Sequence, residues 1–423
     1  MSIHQIFKIF KKWKASLLIL AFTSCIPSFS SISKGSESNI PKLGSLEETN
    51  QATKLLKREG IAIPAKVNLL AGDSQTIFWR NVIPVFDPGL FRYEVKCTCE
   101  FFEVIGRGIR LSPKEQVNGM YRMQIIVKNR YGLKLARKKF KILVWEANSK
   151  LEAKRYSILF VGDSLGHQSR FPNKIAAKLK SLVNVPINYI GTHKPAGAEI
   201  PHEQYGGWTF RRFLEGYNFD PNVFHTKHSP FVFEPKSQNE NPEFDVSRYF
   251  IERVGGEIPD IIHIQLGIND SFLLNPDNLK EMDSGIDTIL RNADLLIAGL
   301  KRGAPDAIIS LGTVIPGNGL NRAYLESYPE YPHLQSEWRW RQVQNRITRR
   351  MSKYYANRER KKIYILPTHL FLDTFDGYYP LPFVATKTDY LLSNAVHPNE
   401  YGDEQVAAPI YTHIYKLFIG ELP

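Results

Sequence analysis

The stretch Tyr156 to Ser169, Y-S-I-L-F-V-G-D-S-L-G-H-Q-S, constrains the chain more than any other. Tyr156 to Val161 is mostly apolar or β-branched and predicts a buried strand. Gly162-Asp163-Ser164-Leu165 follows, and Lys174 to Leu182 has helical composition. A glycine turn between a buried strand and a helix presents a side chain at the carboxyl edge of a sheet, where open α/β sheets bind ligands. A serine placed there sits near helix N–H groups that favour developing negative charge. Taken alone, the block is equally a plain turn with Ser164 as an N-cap.

The strand–helix alternation continues to the C-terminus. Candidate strands are Tyr156–Val161, Ile187–Ile190, Ile261–Leu266, Ala307–Leu311 and Lys362–Leu366. Between the third and fourth, Ile286, Ile289, Leu290, Ala293, Leu296, Ile297 and Leu300 follow a 3.6-residue period. Further helices are expected over Trp338 to Tyr355 and Asp403 to Phe418. This rhythm predicts an α/β domain with a mainly parallel sheet covered on both faces. Inserts at Asn218–Glu243 and Pro316–His333 are long enough to be functional rims or lids.

The N-terminal half reads differently. Lys8, Lys11, Lys12 and Lys14 precede an apolar run from Ala15 to Phe22, the pattern of an export signal in residues 1–25. The run ends at Thr23-Ser24-Cys25, which resembles a bacterial lipoprotein box with Cys25 as the lipid anchor; ordinary cleavage and secretion is the alternative. Either way the expected location is outside the cytoplasm, in the cell envelope or beyond it, and membrane contact is expected only through Cys25. Residues 26–58 are polar and Ser-rich and predict a flexible tether. Residues 59–147 alternate in short runs punctuated by Asn118-Gly119 and by Asn129 to Gly132, which predicts a small all-β domain similar to immunoglobulin-like modules. Cys97 and Cys99 fall on one face of a strand, as two inert thiols or as a local disulfide.

The 423 residues are 43% hydrophobic, enough for a sizeable core, and the formal charge is +13. That charge permits anionic partners, yet no nucleic-acid motif accompanies it, so no nucleic-acid partner is expected. The cluster Arg349-Arg350 with Arg358 to Lys362 reads as a solvated helix face.

Three more blocks fall at strand ends: Tyr205-Gly206-Gly207-Trp208-Thr209, Gly267-Ile268-Asn269-Asp270, and Asn394-Ala395-Val396-His397-Pro398-Asn399 before the last helix. In that order, after G-D-S-L, they resemble the SGNH/GDSL hydrolase superfamily over about Arg155 to the C-terminus, and within it a bacterial exported subgroup with an N-terminal β domain. The resemblance implies a flavodoxin-like three-layer sandwich with a mainly parallel five-stranded sheet, occupying residues 154–423. It implies a serine ester hydrolase that needs no cofactor and no metal. Ser164 would be the nucleophile and His397 its base. The N–H of Ser164, the N–H of Gly207 (or Gly206) and the amide of Asn269 would form the oxyanion hole. The superfamily's usual aspartate three residues before the histidine is replaced here by Asn394. Asn394 as orienter, Asp389 from the preceding loop, or a dyad are the three readings. Asp163 and Asp270 are expected to bond nearby backbone N–H groups, and Trp208 either to wall an acyl pocket or to pack. His193, His202, His225 and His228 lie in loops, and His202-Glu203 lacks the second histidine of a metalloprotease motif. Export and polar, aromatic inserts point to acylated carbohydrate as substrate. A lipid or lysophospholipid acyl hydrolase and a catalytically silent surface-binding lipoprotein are the alternatives.

Overall fold

Parallel strands buried on both faces need long apolar runs, and the strand ending at Gly162 supplies one: Ile158, Leu159, Phe160 and Val161 are all fully buried. The structure, a computed structural model, describes residues 37–38, 45–147, 155–216, 228–234, 241–328, 331, 336–379 and 395–420. The export signal, Cys25, His225, Asp389 and Asn394 lie outside the described residues.

In the N-terminal half, β1 (Glu37–Ser38), β4 (Arg92–Cys97), β7 (Gly119–Lys128), β8 (Lys134–Trp145) and β2 (Lys66–Leu70) form one sheet in that order. Their pairings are antiparallel except that β2 runs parallel to β8. A second sheet joins β3 (Gln75–Phe78), β6 (Gly108–Leu111) and β5 (Phe102–Ile105). Alternation is visible in β4, where Tyr93, Val95 and Cys97 are buried and Arg92 and Lys96 exposed. Cys97 and Cys99 form a disulfide, the second of the two readings the sequence left open.

Within residues 26–58, expected as a tether, the described residues include regular structure. Glu37 and Ser38 pair with Tyr93 and Glu94, and Leu46–Glu59 is an α-helix. The helix has a capping box: the Ser45 hydroxyl accepts the Glu48 N–H at 3.1 Å, and the Glu48 carboxylate accepts the Ser45 N–H at 2.8 Å. Ala52 and Leu56 are the side chains it buries.

The second half is organised on one sheet. Its path is β10 (Ile187–Ile190), β9 (Tyr156–Gly162), β14 (Ile261–Gln265), β15 (Ile308–Gly312) and β16 (Ile363–Leu366), all parallel. A short β11 (Glu203–Gln204) continues the β10 side of β9 at Val161 and Gly162, and β12 (Val232–Phe233) and β13 (Glu243–Phe244) make a separate pair. Numbered along the chain, the five main strands lie in the order 2-1-3-4-5, the flavodoxin-like arrangement, whose switch point falls between β9 and β14. The helix Arg170–Leu182 packs on Glu400–Phe418, and Leu279–Gly303 packs on Glu337–Tyr354. Right-handed crossovers set these two pairs on opposite faces of the sheet.

The two halves are bonded together through the segment after β16. The Asn81 amide donates to the carbonyls of Leu370 (3.2 Å) and Leu372 (2.8 Å), and the His369 Nε2–H to Ala62 (3.1 Å). Arg107 pairs with Asp373 at 3.2 Å and with Asp376 at 2.6 Å. The arginine cluster is a solvated face only in part: Arg360, Lys361 and Lys362 are exposed, whereas Arg349, Arg350 and Arg358 are bonded to other elements. Arg346 pairs with Glu59 (3.1 Å) and Asp283 (2.7 Å), Arg350 with Asp283 (3.1 Å), and Arg358 with Asp294 (2.9 Å). The carboxylates on the neighbouring Leu279–Gly303 helix explain the positive run on this one.

Candidate active site

At the end of β9 the chain turns at once. Asp163 caps a one-turn helix, Ser164–His167, and its carboxylate accepts the Leu165 N–H at 3.1 Å. Ser169 then takes a left-handed φ of 59° to enter the Arg170–Leu182 helix. There is no room for larger residues in this turn. A Cβ on Gly166 would lie 1.1 Å from Gln204 Oε1. Asp163 is buried, and burial, with Asp270 nearby, pushes its carboxyl up to about 8. The expected backbone-bonding role of Asp163 is met, with the carboxyl held largely protonated near neutrality.

His397 comes from the other side. Its Nε2 lies 2.8 Å from Ser164 Oγ. The ring's approach is set by loops. The Ala395 carbonyl accepts the Asn318 N–H at 2.8 Å. Gly317 fits tightly beneath it, since a Cβ there would stand 2.1 Å from the Tyr324 hydroxyl and 2.6 Å from the Ala395 carbonyl. Beyond His397, Asn399 caps the last helix by accepting the Gly402 N–H at 2.9 Å, while its amide donates to Asp376 and Tyr378, each at 2.9 Å. That helix starts at Glu400, three residues before the expected Asp403, because the Asn399 cap adds a turn.

The second and third blocks are tied to the first and to each other. The Tyr205 N–H donates to Gly162 O at 3.1 Å, and the Trp208 N–H returns to Tyr205 O at 3.3 Å across Gly206 and Gly207. Gly207 has a φ of 74°, a left-handed value at which a side chain is strained. The Asn269 amide donates to the Trp208 carbonyl at 2.9 Å, which fixes the side chain and leaves the second hydrogen of Nδ2. The Asp270 carboxylate accepts the Phe210 N–H at 3.3 Å, and burial raises its carboxyl to about 7. Thus both aspartates bond backbone N–H groups, as read from the sequence. Trp208 itself is fully buried against Tyr205 (4.7 Å) and Phe213 (4.8 Å), so it packs, and only its carbonyl serves the site.

Other loop histidines sit behind this edge. Gln204 N–H donates to His202 Nδ1 at 3.2 Å, so Nε2 carries the proton it gives to Ser169 Oγ at 2.7 Å. Burial, then His193 and His167, hold His202 down to about 3. The His167 and His193 rings stack at 4.7 Å, and His228 Nε2 donates to Val232 O at 2.9 Å. Sequence reasoning missed one prominent group here, the buried Glu203 carboxylate, which stands between His202 and Gln204 with no sequence signal of burial.

No protein-family model and no curated protein matches the chain. Solved structures similar to it include a family 3 carbohydrate esterase from Clostridium thermocellum, at 15% identity and TM-score 0.37, covering 64% of this chain and 100% of that one. A carbohydrate acetylesterase from Sinorhizobium meliloti is similar at 14% identity and TM-score 0.33, covering 62% of this chain and 100% of that one. A lipase from a goat rumen metagenome is similar at 12% identity and TM-score 0.33, covering 60% of this chain and 95% of that one. Likenesses this distant carry no chemistry across.

Proposed function

We propose that the protein is a serine ester hydrolase of the SGNH/GDSL type. The observation that carries this reading is the 2.8 Å contact between Ser164 Oγ and His397 Nε2 at the switch point of the parallel sheet. His397 takes the Ser164 proton as Oγ attacks the acyl carbonyl. The resulting oxyanion is met by the N–H groups of Ser164 and Gly207 and by the remaining Asn269 hydrogen. His397 then gives its proton to the leaving alkoxide, so an alcohol departs and an acyl-enzyme remains. Water, deprotonated by the same histidine, attacks the acyl carbon; the tetrahedral adduct collapses, Ser164 regains its proton and the carboxylic acid leaves. Asn394 is the group we assign to orient the His397 Nδ1–H through its side-chain carbonyl.

For the substrate we favour small acyl esters, acetyl foremost, on carbohydrate outside the cytoplasm. The export signal of residues 1–25 with Cys25 as anchor, and residues 59–147 as an accessory module of immunoglobulin-like type, belong to this reading. The export pattern of residues 1–25 and the polar, aromatic composition of the inserts at 218–243 and 316–333 support it. The test is hydrolysis of acetylated oligosaccharides against acyl-chain lipids and lysophospholipids by the full chain. Acetate release from the oligosaccharides should dominate. Preference for long acyl chains would replace the carbohydrate reading with a lipid one, and no turnover of any ester would leave a binding protein.

A further inference from the structure

The segment that carries Gly207 begins on a carboxylate that the steps above do not use. Glu203 is fully buried on β11, which pairs with β9 directly before Asp163. Its Oε1 accepts the Thr192 N–H at 2.6 Å and the Tyr249 hydroxyl at 2.7 Å. Its Oε2 accepts the Thr192 hydroxyl at 3.1 Å and the Tyr205 hydroxyl. Burying a carboxylate is costly unless its lone pairs are filled, and four donors fill these. Burial pushes the carboxyl up, and the bonds from Tyr205, Tyr249 and Thr192 pull it back.

Tyr205 is held at three points. Its hydroxyl is on Glu203, its N–H on Gly162 O, and its carbonyl takes the Trp208 N–H. Gly206 and Gly207 are the two residues between that carbonyl and that N–H, so wherever Tyr205 sits, the Gly207 N–H follows. Gly207 itself cannot set its own place, because its side opens on space: no atom lies within 4 Å of where a Cβ would be. We infer that Glu203 and Tyr205 are positioning residues that hold the Gly207 N–H on the oxyanion, an inference that rests on the proposed function. Both are fully buried and act here through the Gly207 N–H, so their effect falls on the transition state and spares ground-state binding.

The test is steady-state hydrolysis of a short-chain chromogenic ester, with Ser164 phosphonylation rates, for Tyr205→Phe, Glu203→Gln and Ser164→Ala. Tyr205→Phe removes one hydroxyl and keeps the buried ring. It should lower kcat about 10-fold with KM within about twofold, and slow phosphonylation, which needs the same oxyanion donors, in proportion. Glu203→Gln should act in the same direction; should that variant not fold, Tyr205→Phe decides alone. A folded Tyr205→Phe that keeps kcat, or that raises KM with kcat intact, overturns the inference and leaves a network that only stabilises the loop. Ser164→Ala separates the two levels. An undiminished Ser164→Ala defeats the proposed function itself, whereas an inactive Ser164→Ala beside an unaffected Tyr205→Phe defeats this inference alone.

Discussion

Ser164 and His397 meet at 2.8 Å, yet the two sides of that contact are built differently. Ser164 is an extension of the sheet. It is the second residue after β9, and β9 is hydrogen-bonded to β10, β11 and β14. The turn that bears it is packed on Gln204 with no spare volume. His397 is held by loop on loop, through Asn318 to Ala395 and through Asn399 to Asp376 and Tyr378. Strand ends place the nucleophile and the oxyanion donors, and loops place the base. A mutation on the sheet side should therefore disturb fold and activity together, and one on the loop side should cost activity first.

Three substitutions probe that contrast. Gly166→Ala should have the largest effect, because the added methyl would overlap the Gln204 amide at 1.1 Å. We expect kcat/KM to fall by about 100-fold or more together with a lowered melting temperature. The Gln204 amide has no hydrogen-bond partner among the described residues, so Gly166→Ala with Gln204→Ala should recover both in part. Failure of that rescue would place the strain elsewhere in the turn.

Gly317→Ala should come next. Its methyl would press on the Tyr324 hydroxyl and the Ala395 carbonyl and shift the loop that leads to His397. We expect about 10-fold loss in kcat with a smaller shift in melting temperature than Gly166→Ala shows. Equal loss of stability in the two variants would erase the distinction between the sheet side and the loop side.

Asp163→Asn should be the mildest. The native carboxyl is pushed from 3.8 to about 8 by burial and by Asp270. Between those values the folded protein keeps a proton that the unfolded chain has lost, so the wild type loses stability as pH rises through that window. Asparagine loses none, and its oxygen can still accept the Leu165 N–H. The melting temperature of Asp163→Asn relative to wild type should rise from pH 4 to pH 8. A constant difference would mean that Asp163 is ionised in the fold.

The central sheet was legible because its strands are continuous apolar runs bounded by glycine or polar turns; all five expected strands are present with ends moved by one residue at most. The first three site blocks were legible because each follows a strand end, and the His397 block because it leads straight into the last helix; short motifs stay intact in the sequence at both kinds of place. The Leu46–Glu59 helix was not, since among the described side chains only Ala52 and Leu56 are fully inside, although Ser45 and Glu48 spell a capping box that could have been read. The Glu203 network could not be read at all. Thr192, Tyr205 and Tyr249 come from three separate segments, and only the fold brings their donors to one carboxylate. The arginines of the Glu337–Tyr354 helix misled for the same reason, because their carboxylates belong to other helices.

The most direct measurement is the rate of short-chain chromogenic ester hydrolysis by the purified protein and by Ser164→Ala at equal concentration. The wild type should turn over, and Ser164→Ala should fall by about 10⁴-fold or more. An inactive wild type, or a Ser164→Ala variant as fast as the wild type, would contradict the assignment of Ser164 as nucleophile.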